Sequence, residues 1–176
     1  MTYHRDPTVQ YGMDFVFHGG VDSSHADDSD TMRSTGGWFF FLRKGQGCVS
    51  AKSGQSPDVA LSSTESETIW ACSAATQAQG AYIKQFLDEL CLFRSVTFEL
   101  HEDSQPAINA QKRNVSQSKF RHIKTKYYYI RQLLYDYDGW AKMVKIDTKN
   151  QVADMATKIL STIATMRFTR IVLGHT

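Results

Sequence analysis

The chain has 176 residues, the size of one domain with a core of its own. Its hydrophobic content of 41% and charged content of 22% are ordinary for a soluble globular protein, and no apolar run approaches the length of a membrane span. The N-terminus lacks the apolar core of a signal peptide, and three widely spaced cysteines argue against disulfides and structural zinc. We therefore expect an intracellular protein.

The net charge of +2 conceals an uneven distribution. Residues 104–135 contain no Asp or Glu and carry seven positive charges, on Lys112, Arg113, Lys119, Arg121, Lys124, Lys126 and Arg131. The rest of the chain is therefore acidic overall. This asymmetry suggests that the basic segment binds a polyanionic partner. It also suggests that the partner lies next to an acidic site that binds a metal ion. The alternative is a solvated basic face of a helix.

The first part of the chain predicts three strands in a meander. Apolar and aromatic residues over 13–21 predict a strand that leads into Asp22. The aromatic run over 38–42 is typical of a buried strand, and the glycines in 43–47 indicate a tight turn. A short third strand follows over 48–52.

Helices then alternate with strands. Apolar residues at helical spacing predict a long helix over 61–90, in two pieces. Alternation over 96–101 predicts a strand that delivers Asp103 just beyond its end. Ser104 is placed to cap a short helix that has Pro106 in its first turn and holds Ala107, Ile108 and Ala110.

The last part of the chain completes an α/β order. We expect a helix over 123–135, a strand over 140–146 and a helix over 152–160 that carries Asp154; the tail, 161–176, is at most a modest helix. The predicted order is three strands, a helix, a strand, helices, a strand and a helix. This order indicates a mixed α/β sheet.

Acidic residues lie at the edges of these elements: Asp22, Glu67, Asp103 and Asp154. Carboxylates held on neighbouring elements at one end of a sheet form an oxygen-lined pocket. Divalent magnesium or manganese prefers such a pocket, and phosphodiester cleavage uses it. Chance is the alternative, because 18 acidic residues in 176 will decorate strand ends without any joint function.

Five segments form an ordered set of motifs: V-D-S-S-H-A-D-D-S-D-T-M-R-S-T-G-G-W-F-F-F-L (21–42), V-A-L-S-S-T-E-S-E-T-I-W-A (59–71), H-E-D-S-Q-P-A-I (101–108), F-R-H-I-K-T-K-Y-Y-Y-I-R (120–131) and Q-V-A-D-M-A-T-K (151–158). In order and spacing they resemble the ribonuclease H domain of copia-type (Pseudoviridae) LTR retrotransposon polyproteins. The resemblance spans about residues 12–174. Residues 8–13 are similar to the linker that joins reverse transcriptase to this domain.

The resemblance implies an α/β ribonuclease H fold, with a five-stranded mixed sheet whose first three strands are antiparallel and which helices flank. It implies a linker remnant over 1–13, a ribonuclease H domain over 14–160 and a C-terminal extension over 161–176. The implied activity is endonucleolytic hydrolysis of the RNA strand of RNA–DNA hybrids with two Mg²⁺ ions, for which Mn²⁺ can substitute.

Partners and location follow from the same resemblance. The expected partners are the RNA–DNA hybrid and the reverse transcriptase domain of the same polyprotein, with no membrane. The expected location is the cytoplasm, in a retroelement particle, or the nucleus. The sequence makes no prediction of oligomeric state.

The family's four catalytic, metal-binding carboxylates fall on Asp22, Glu67, Asp103 and Asp154. In that scheme Asp22 bridges both ions and Asp154 helps to hold the ion that activates the attacking water. Glu67 and Asp103 hold the ion that faces the leaving 3′ oxygen. Glu65 competes with Glu67, since both lie in T-E-S-E-T. On a helix their directions differ by about 200°, so only one can face the site, and the family register favours Glu67.

Polar residues beside the carboxylates and cations of the basic segment are the candidates for nucleic-acid contact. Cations bind phosphates, and contacts to 2′-hydroxyls distinguish RNA from DNA. The candidates are Ser23, Ser24, Ser104, Gln105, Asn109, Lys119, Arg121, His122, Lys124 and Lys126. For His122 a capping or packing role is the alternative, and we expect His101 to be structural.

Two features depart from relatives. Ser24 and His25 stand where many relatives have an acidic-aromatic pair, and the loop 147–150 lacks the mobile histidine of cellular enzymes. Two rival functions remain: a catalytically silent domain that binds hybrids or proteins on the same fold, and a DNA nuclease of the same superfold. The complete set of four carboxylates weighs against both.

Overall fold

Five strands form one sheet in the order β3-β2-β1-β4-β5, in a computed structural model that describes residues 7–78, 80–112, 129–136 and 141–175. The strands are β1 (Asp14–Ser24), β2 (Thr35–Phe41), β3 (Cys48–Gln55), β4 (Ser95–Glu102) and β5 (Ala141–Lys145). β1 to β3 pair antiparallel, whereas β4 pairs parallel with both β1 and β5. The mixed sheet predicted from the sequence is confirmed.

Helical segments of three kinds accompany the sheet. The α-helices are α1 (Ser63–Cys72), α2 (Gly80–Glu89), α3 (Gln105–Lys112) and α4 (Thr162–Leu173). Ser73–Ala78 and Gln132–Asp136 are π-helical, and Thr148–Asn150 and Val152–Ala156 are short 3₁₀ turns. Within the four described ranges, no helix combines the length and apolar composition that a bilayer span requires.

One face of the sheet carries the hydrophobic core. Alternate residues of β1, β2 and β4 point to this face and are buried: Phe15, Phe17, Val21, Trp38, Phe40, Val96, Phe98 and Leu100. α1 packs against it through Trp70, whose ring centroid lies 5.8 Å from that of Trp38. Ala71 of α1 and Ala74 of the following π-helical segment are fully buried, and such small side chains let both segments lie close to the strands.

The opposite face is approached closely by the turn Val152–Ala156. A Cβ atom added to Gly37 would lie 2.4 Å from the Cβ of Ala156 and 2.4 Å from the backbone oxygen of Lys52, so a side chain cannot be accommodated without movement. Gly37 pairs with Asp22 across the sheet. The glycine therefore lets the turn settle directly beside Asp22.

Gln151 fastens this turn to the sheet. Its side chain is fully buried, and its Nε2 donates a hydrogen bond of 2.8 Å to the backbone oxygen of Val21. Its Oε1 accepts from the backbone N–H of Ala153 at 3.4 Å. One buried amide thus joins the strand that carries Asp22 to the turn that carries Asp154.

One prediction about the C-terminal part was wrong. The helix expected over 152–160 is a five-residue 3₁₀ turn, whereas the modest helix expected in the tail is the 12-residue α4. Both ends of α4 are capped: Ser161 Oγ accepts from the N–H of Ala164, and Gly174 takes a left-handed conformation with φ of 76°. These caps explain where the helix begins and ends.

Other predicted elements are described only in part. The helix expected over 123–135 is described from residue 129 onward, where it is helical, and the strand expected over 140–146 appears as β5. Residues 113–128 of the basic segment lie outside the described residues. The domain limits 1–13, 14–160 and 161–176 stay predictions.

We expect Gly37→Ala to lower the free energy of unfolding by about 1–3 kcal/mol, because overpacking a tight contact forces the backbone to shift. Urea denaturation measures the change. Gly54→Ala in β3 is the matched control, since nothing lies within 4 Å of a Cβ added there. Equal unfolding free energies for the two variants would contradict the close approach at Gly37.

Candidate active site

The four carboxylates predicted from the sequence come from four separate elements at one end of the sheet. Asp22 lies in β1, Glu67 in α1 and Asp154 in the turn Val152–Ala156, while Asp103 follows β4 directly. Gly20 pairs with His101 in parallel register, so Asp22 and Asp103 come two residues further along neighbouring strands. Asp22 is 1% exposed, and Glu67 and Asp154 are each 7% exposed.

Glu65 and Glu67 have different roles at the start of α1. The Oε2 of Glu65 accepts a hydrogen bond of 2.9 Å from the N–H of Leu61, and the Oγ of Ser62 accepts one of 3.2 Å from the N–H of Glu65. Ser62 is therefore the N-cap of α1, and the Glu65 carboxylate joins the first turn to the residue before the cap. Glu67 instead interacts electrostatically with Asp22 and Asp103. Glu65 is thus engaged at the start of the helix, and the assignment of Glu67 to the site stays a prediction.

Burial and crowding favour the protonated form of two glutamates. Burial raises the pKa of Glu67 to about 10, and negative charges on Glu102, Asp22 and Asp103 act in the same direction. Burial also raises the pKa of Glu102 to about 8, against the effect of the Ser104 N–H that donates to its Oε1 at 2.9 Å. Both groups therefore hold a proton at neutral pH when no ion balances their charge.

Glu102 is a fifth carboxylate that the sequence reasoning missed. It is fully buried, and its side chain points to the same face as Val96, Phe98 and Leu100, which precede it at alternate positions of β4. That alternation was a readable signal, because it places an acidic residue at a core-facing position. When it is ionised, Glu102 raises the pKa of Glu67 in the same direction as Asp22 and Asp103 do.

Lys158 was also missed, although it lies within the motif 151–158. Its Nζ is 2.8 Å from Oδ1 of Asp154 and 3.2 Å from the carboxylate of Asp22. The Oγ1 of Thr157 donates a further hydrogen bond to Asp22. Burial alone would lower the pKa of Lys158, but its hydrogen bond to Asp154 and the charge of Asp22 raise it above its usual value. The spacing of four between Asp154 and Lys158 was the available signal.

The candidates for nucleic-acid contact fall into three groups. Ser23 is buried and Ser24 is half-buried in β1. Ser104 caps α3, since its Oγ accepts from the N–H of Ala107 at 3.3 Å. Gln105 and Asn109 are exposed on α3, where the Nε2 of the first donates to the Oδ1 of the second at 3.0 Å. The remaining candidates lie outside the described residues: Lys119, Arg121, His122, Lys124 and Lys126.

His101 packs within the fold, although it lies only two residues before Asp103. Its ring stacks on that of His18, with centroids 5.5 Å apart. Burial, aided by the charges of His101 and Lys44, lowers the pKa of His18 to about 4. This contact supports the structural role predicted for His101.

The donor set fits a hard divalent cation. Every candidate ligand is a carboxylate, and the Oε2 atoms of Glu67 and Glu102 are buried without a hydrogen-bond partner among the described residues. Among the described residues, no group of three or more Asp, Glu, His or Cys side chains is arranged so that it could hold a metal ion. Asp22 and Asp154 contact Lys158 instead, so an ion would have to rearrange these groups.

The sequence has relatives among transposon polyproteins, although no protein-family model matches it. It is 34% identical over 149 residues to the retrovirus-related Pol polyprotein from transposon TNT 1-94 of Nicotiana tabacum. This match covers 85% of the chain and 11% of the polyprotein. The match to the polyprotein from transposon RE2 of Arabidopsis thaliana is 30% identical over 162 residues and covers 92% of the chain and 11% of the polyprotein.

The chain is homologous to the Pol polyproteins of copia-like plant transposons. This confirms the resemblance predicted from the five motifs. The chain spans only 11% of the length of the two polyproteins above, so it corresponds to one part of a Pol polyprotein.

This part of the Pol polyprotein has the ribonuclease H fold. LC11-RNase H1, isolated from compost by a metagenomic approach, matches with a TM-score of 0.57 at 15% identity, covering 80% of this chain and 91% of that one. The structure of LC11-RNase H1 in complex with an RNA/DNA hybrid also matches with a TM-score of 0.57, at 14% identity and over 80% and 93% of the two chains. The predicted fold class is confirmed.

Without a divalent ion, we expect this Pol domain to lose stability as the pH rises from about 7 to about 9. The unfolded state has already released the protons of Glu67 and Glu102 in this range. The native state still holds them, because its pKa values for both groups are raised. Stability therefore falls as the pH rises through the native pKa values. Thermal unfolding in a chelating buffer measures this slope.

Glu102→Gln should flatten the slope, because it removes one of the two titrating groups. The exposed Glu89 provides a control, since Glu89→Gln should keep the wild-type slope. A wild-type melting temperature that stays constant or increases over this pH range would show that the carboxylates do not carry the protons assigned to them.

Proposed function

We propose that the chain is a divalent-metal-dependent ribonuclease H that hydrolyses the RNA strand of RNA–DNA hybrids endonucleolytically. The observation that carries this proposal is the burial of Asp22, Glu67 and Asp154 beside Asp103 at one end of the sheet. The likeness to LC11-RNase H1, one structure of which contains an RNA/DNA hybrid, supports the choice of substrate.

In this proposal, Asp22, Glu67, Asp103 and Asp154 hold two Mg²⁺ ions, or Mn²⁺ in their place. Such ions, when bound, activate water and stabilise the charge on the attacking and leaving oxygens of a phosphodiester. Burial of Glu67 limits the access of water to its carboxylate, and the hydrogen bond from Thr157 fixes the orientation of Asp22. The expected products carry 3′-hydroxyl and 5′-phosphate ends.

Contacts to the hybrid are proposed for residues around the carboxylates. Gln105 and Asn109 are exposed on α3, which begins two residues after Asp103, so we propose that their amides contact a bound strand and read its 2′-hydroxyls. Ser23, Ser24 and Ser104 remain candidates closer to the site. Phosphate contacts by Lys119, Arg121, His122, Lys124 and Lys126 remain a prediction from the sequence.

A reverse transcriptase domain is the proposed protein partner, because the relatives are Pol polyproteins of which this chain spans a small part. The proposed location is intracellular, in a cytoplasmic retroelement particle or the nucleus.

A catalytically silent hybrid-binding domain is the second candidate. The observation that favours it is the contact of Lys158 with Asp22 and Asp154, which balances part of their negative charge without a metal. Both candidates predict hybrid binding that weakens with salt. Only the enzyme predicts cleavage that depends on the carboxylates.

A labelled RNA–DNA hybrid, incubated in Mg²⁺ or Mn²⁺, separates the two candidates. We expect cleavage of the RNA strand only, with single-stranded RNA and duplex DNA left intact. Asp103→Asn should reduce cleavage by about 100-fold or more, since even the loss of a group that supports a ligand costs about 10- to 100-fold. Hybrid binding by a cleavage-deficient wild type would favour the silent domain.

Glu67→Gln and Glu65→Gln form a matched pair for the same assay. The first should abolish cleavage, because it replaces a proposed ion ligand. The second should keep most of it, since glutamine serves equally well in a helix cap. Greater loss in Glu65→Gln than in Glu67→Gln would reverse the assignment, and circular dichroism of both variants checks that they fold.

A further inference from the structure

The ammonium group of Lys158 lies between two of the proposed ion ligands. Its Nζ contacts both carboxylate oxygens of Asp22 at 3.2 Å and Oδ1 of Asp154 at 2.8 Å. Asp22 is 1% exposed, whereas the Lys158 side chain is 40% exposed. The cation therefore reaches the buried carboxylates from the solvent side, along the surface of the turn.

This position is fixed by the local backbone. The N–H groups of Thr157 and Lys158 both donate to the backbone oxygen of Asp154, at 3.2 Å and 2.9 Å. They hold Lys158 directly above the Asp154 carboxylate. Another described lysine, Lys145, donates instead to the backbone oxygens of Asp103 and Ile146. Lys158 is thus the lysine whose described contacts are with the carboxylates themselves.

We propose that Lys158 is a built-in counter-ion that competes with a divalent ion for Asp22 and Asp154. The inference rests on the proposed function, since it takes these aspartates as ion ligands. An ammonium group and a divalent ion repel each other, so both cannot occupy the space between the same two carboxylates. The half-exposed lysine can swing into solvent when the ion arrives.

Lys158 is a positioning residue in this scheme. Before the ion binds, the Nζ atom of Lys158 lies within hydrogen-bonding distance of both Asp22 and Asp154. Its positive charge reduces the repulsion between the two carboxylates. The cost of displacing it lowers the affinity of the site for the ion, because the two binding events are thermodynamically linked. Removing the lysine should therefore destabilise the ion-free protein and tighten ion binding. A lysine that only fastened the turn to β1 would not oppose ion binding.

Mn²⁺ binding to the purified chain, measured from the electron paramagnetic resonance signal of the free ion, tests the proposal. We expect Lys158→Met to bind Mn²⁺ about fivefold more tightly than the wild type, at the lower end of linked binding effects because the lysine is partly exposed. Its melting temperature in a chelating buffer should be lower, and the rise on adding Mn²⁺ should be larger.

Three further variants complete the test. Lys158→Arg should restore the wild-type affinity, because it returns a cation to the same place, and Lys158→Gln serves if the methionine variant does not fold. Lys84→Met is the control: Lys84 also contacts an aspartate four residues away, Asp88 at 2.5 Å, but in the reverse order along the chain and on α2. It should bind Mn²⁺ as the wild type does.

The outcomes separate this inference from the proposed function. Unchanged or weaker Mn²⁺ binding by both neutral variants at position 158 overturns the role of Lys158, even if the wild type cleaves hybrids. If these variants bind Mn²⁺ more tightly than the wild type, but the wild type cleaves no hybrid, the result supports the role of Lys158 as a counter-ion. The same result counts against the ribonuclease activity. A wild type that binds no Mn²⁺ overturns both.

Discussion

Repulsion between carboxylates is the constraint that governs this structure. Five acidic side chains lie near one end of the sheet, and a fold can keep them there only if their charge is reduced or balanced. The two sides of the site use different means. Glu67 and Glu102, on the core side, are buried and hold protons, whereas Asp22 and Asp154, on the opposite side, face the cation of Lys158. Bound divalent ions would balance the charge on both sides of the site, in place of the protons on the glutamates and the ammonium group of Lys158.

The position of Asp154 depends on features that carry no charge. Gly37 leaves room for the turn Val152–Ala156 against the sheet, and the buried amide of Gln151 fastens the turn to the backbone of Val21. Neither residue is a candidate for direct chemistry. Together they position the turn that carries Asp154 beside the strand that carries Asp22. Uncharged contacts therefore determine where these two charged groups lie.

The sequence predicted the sheet and the four separated carboxylates because strand alternation and motif spacing are local signals. It missed Glu102 and Lys158, whose significance depends on what lies across the site from them. The 3₁₀ turn at 152–156 was taken for an α-helix, since the two share similar short-range spacing over so few residues. α4 was predicted only as a modest helix because Phe168 is its one buried residue, although Ser161 and Gly174 marked both ends.

The hydrogen bond from Gln151 to Val21 joins residues 130 positions apart. A contact of such sequence separation forms slowly and late, because a long loop must close first. During synthesis, β1 with Asp22 emerges from the ribosome well before the segment that completes the pocket around it. A chain that ended just before this segment would contain the residues of all five strands and Asp22, Glu67 and Asp103, but it would lack Asp154 and the turn that carries it. Because Asp154 is translated last, the set of four carboxylates is complete only after nearly the whole domain has been synthesised.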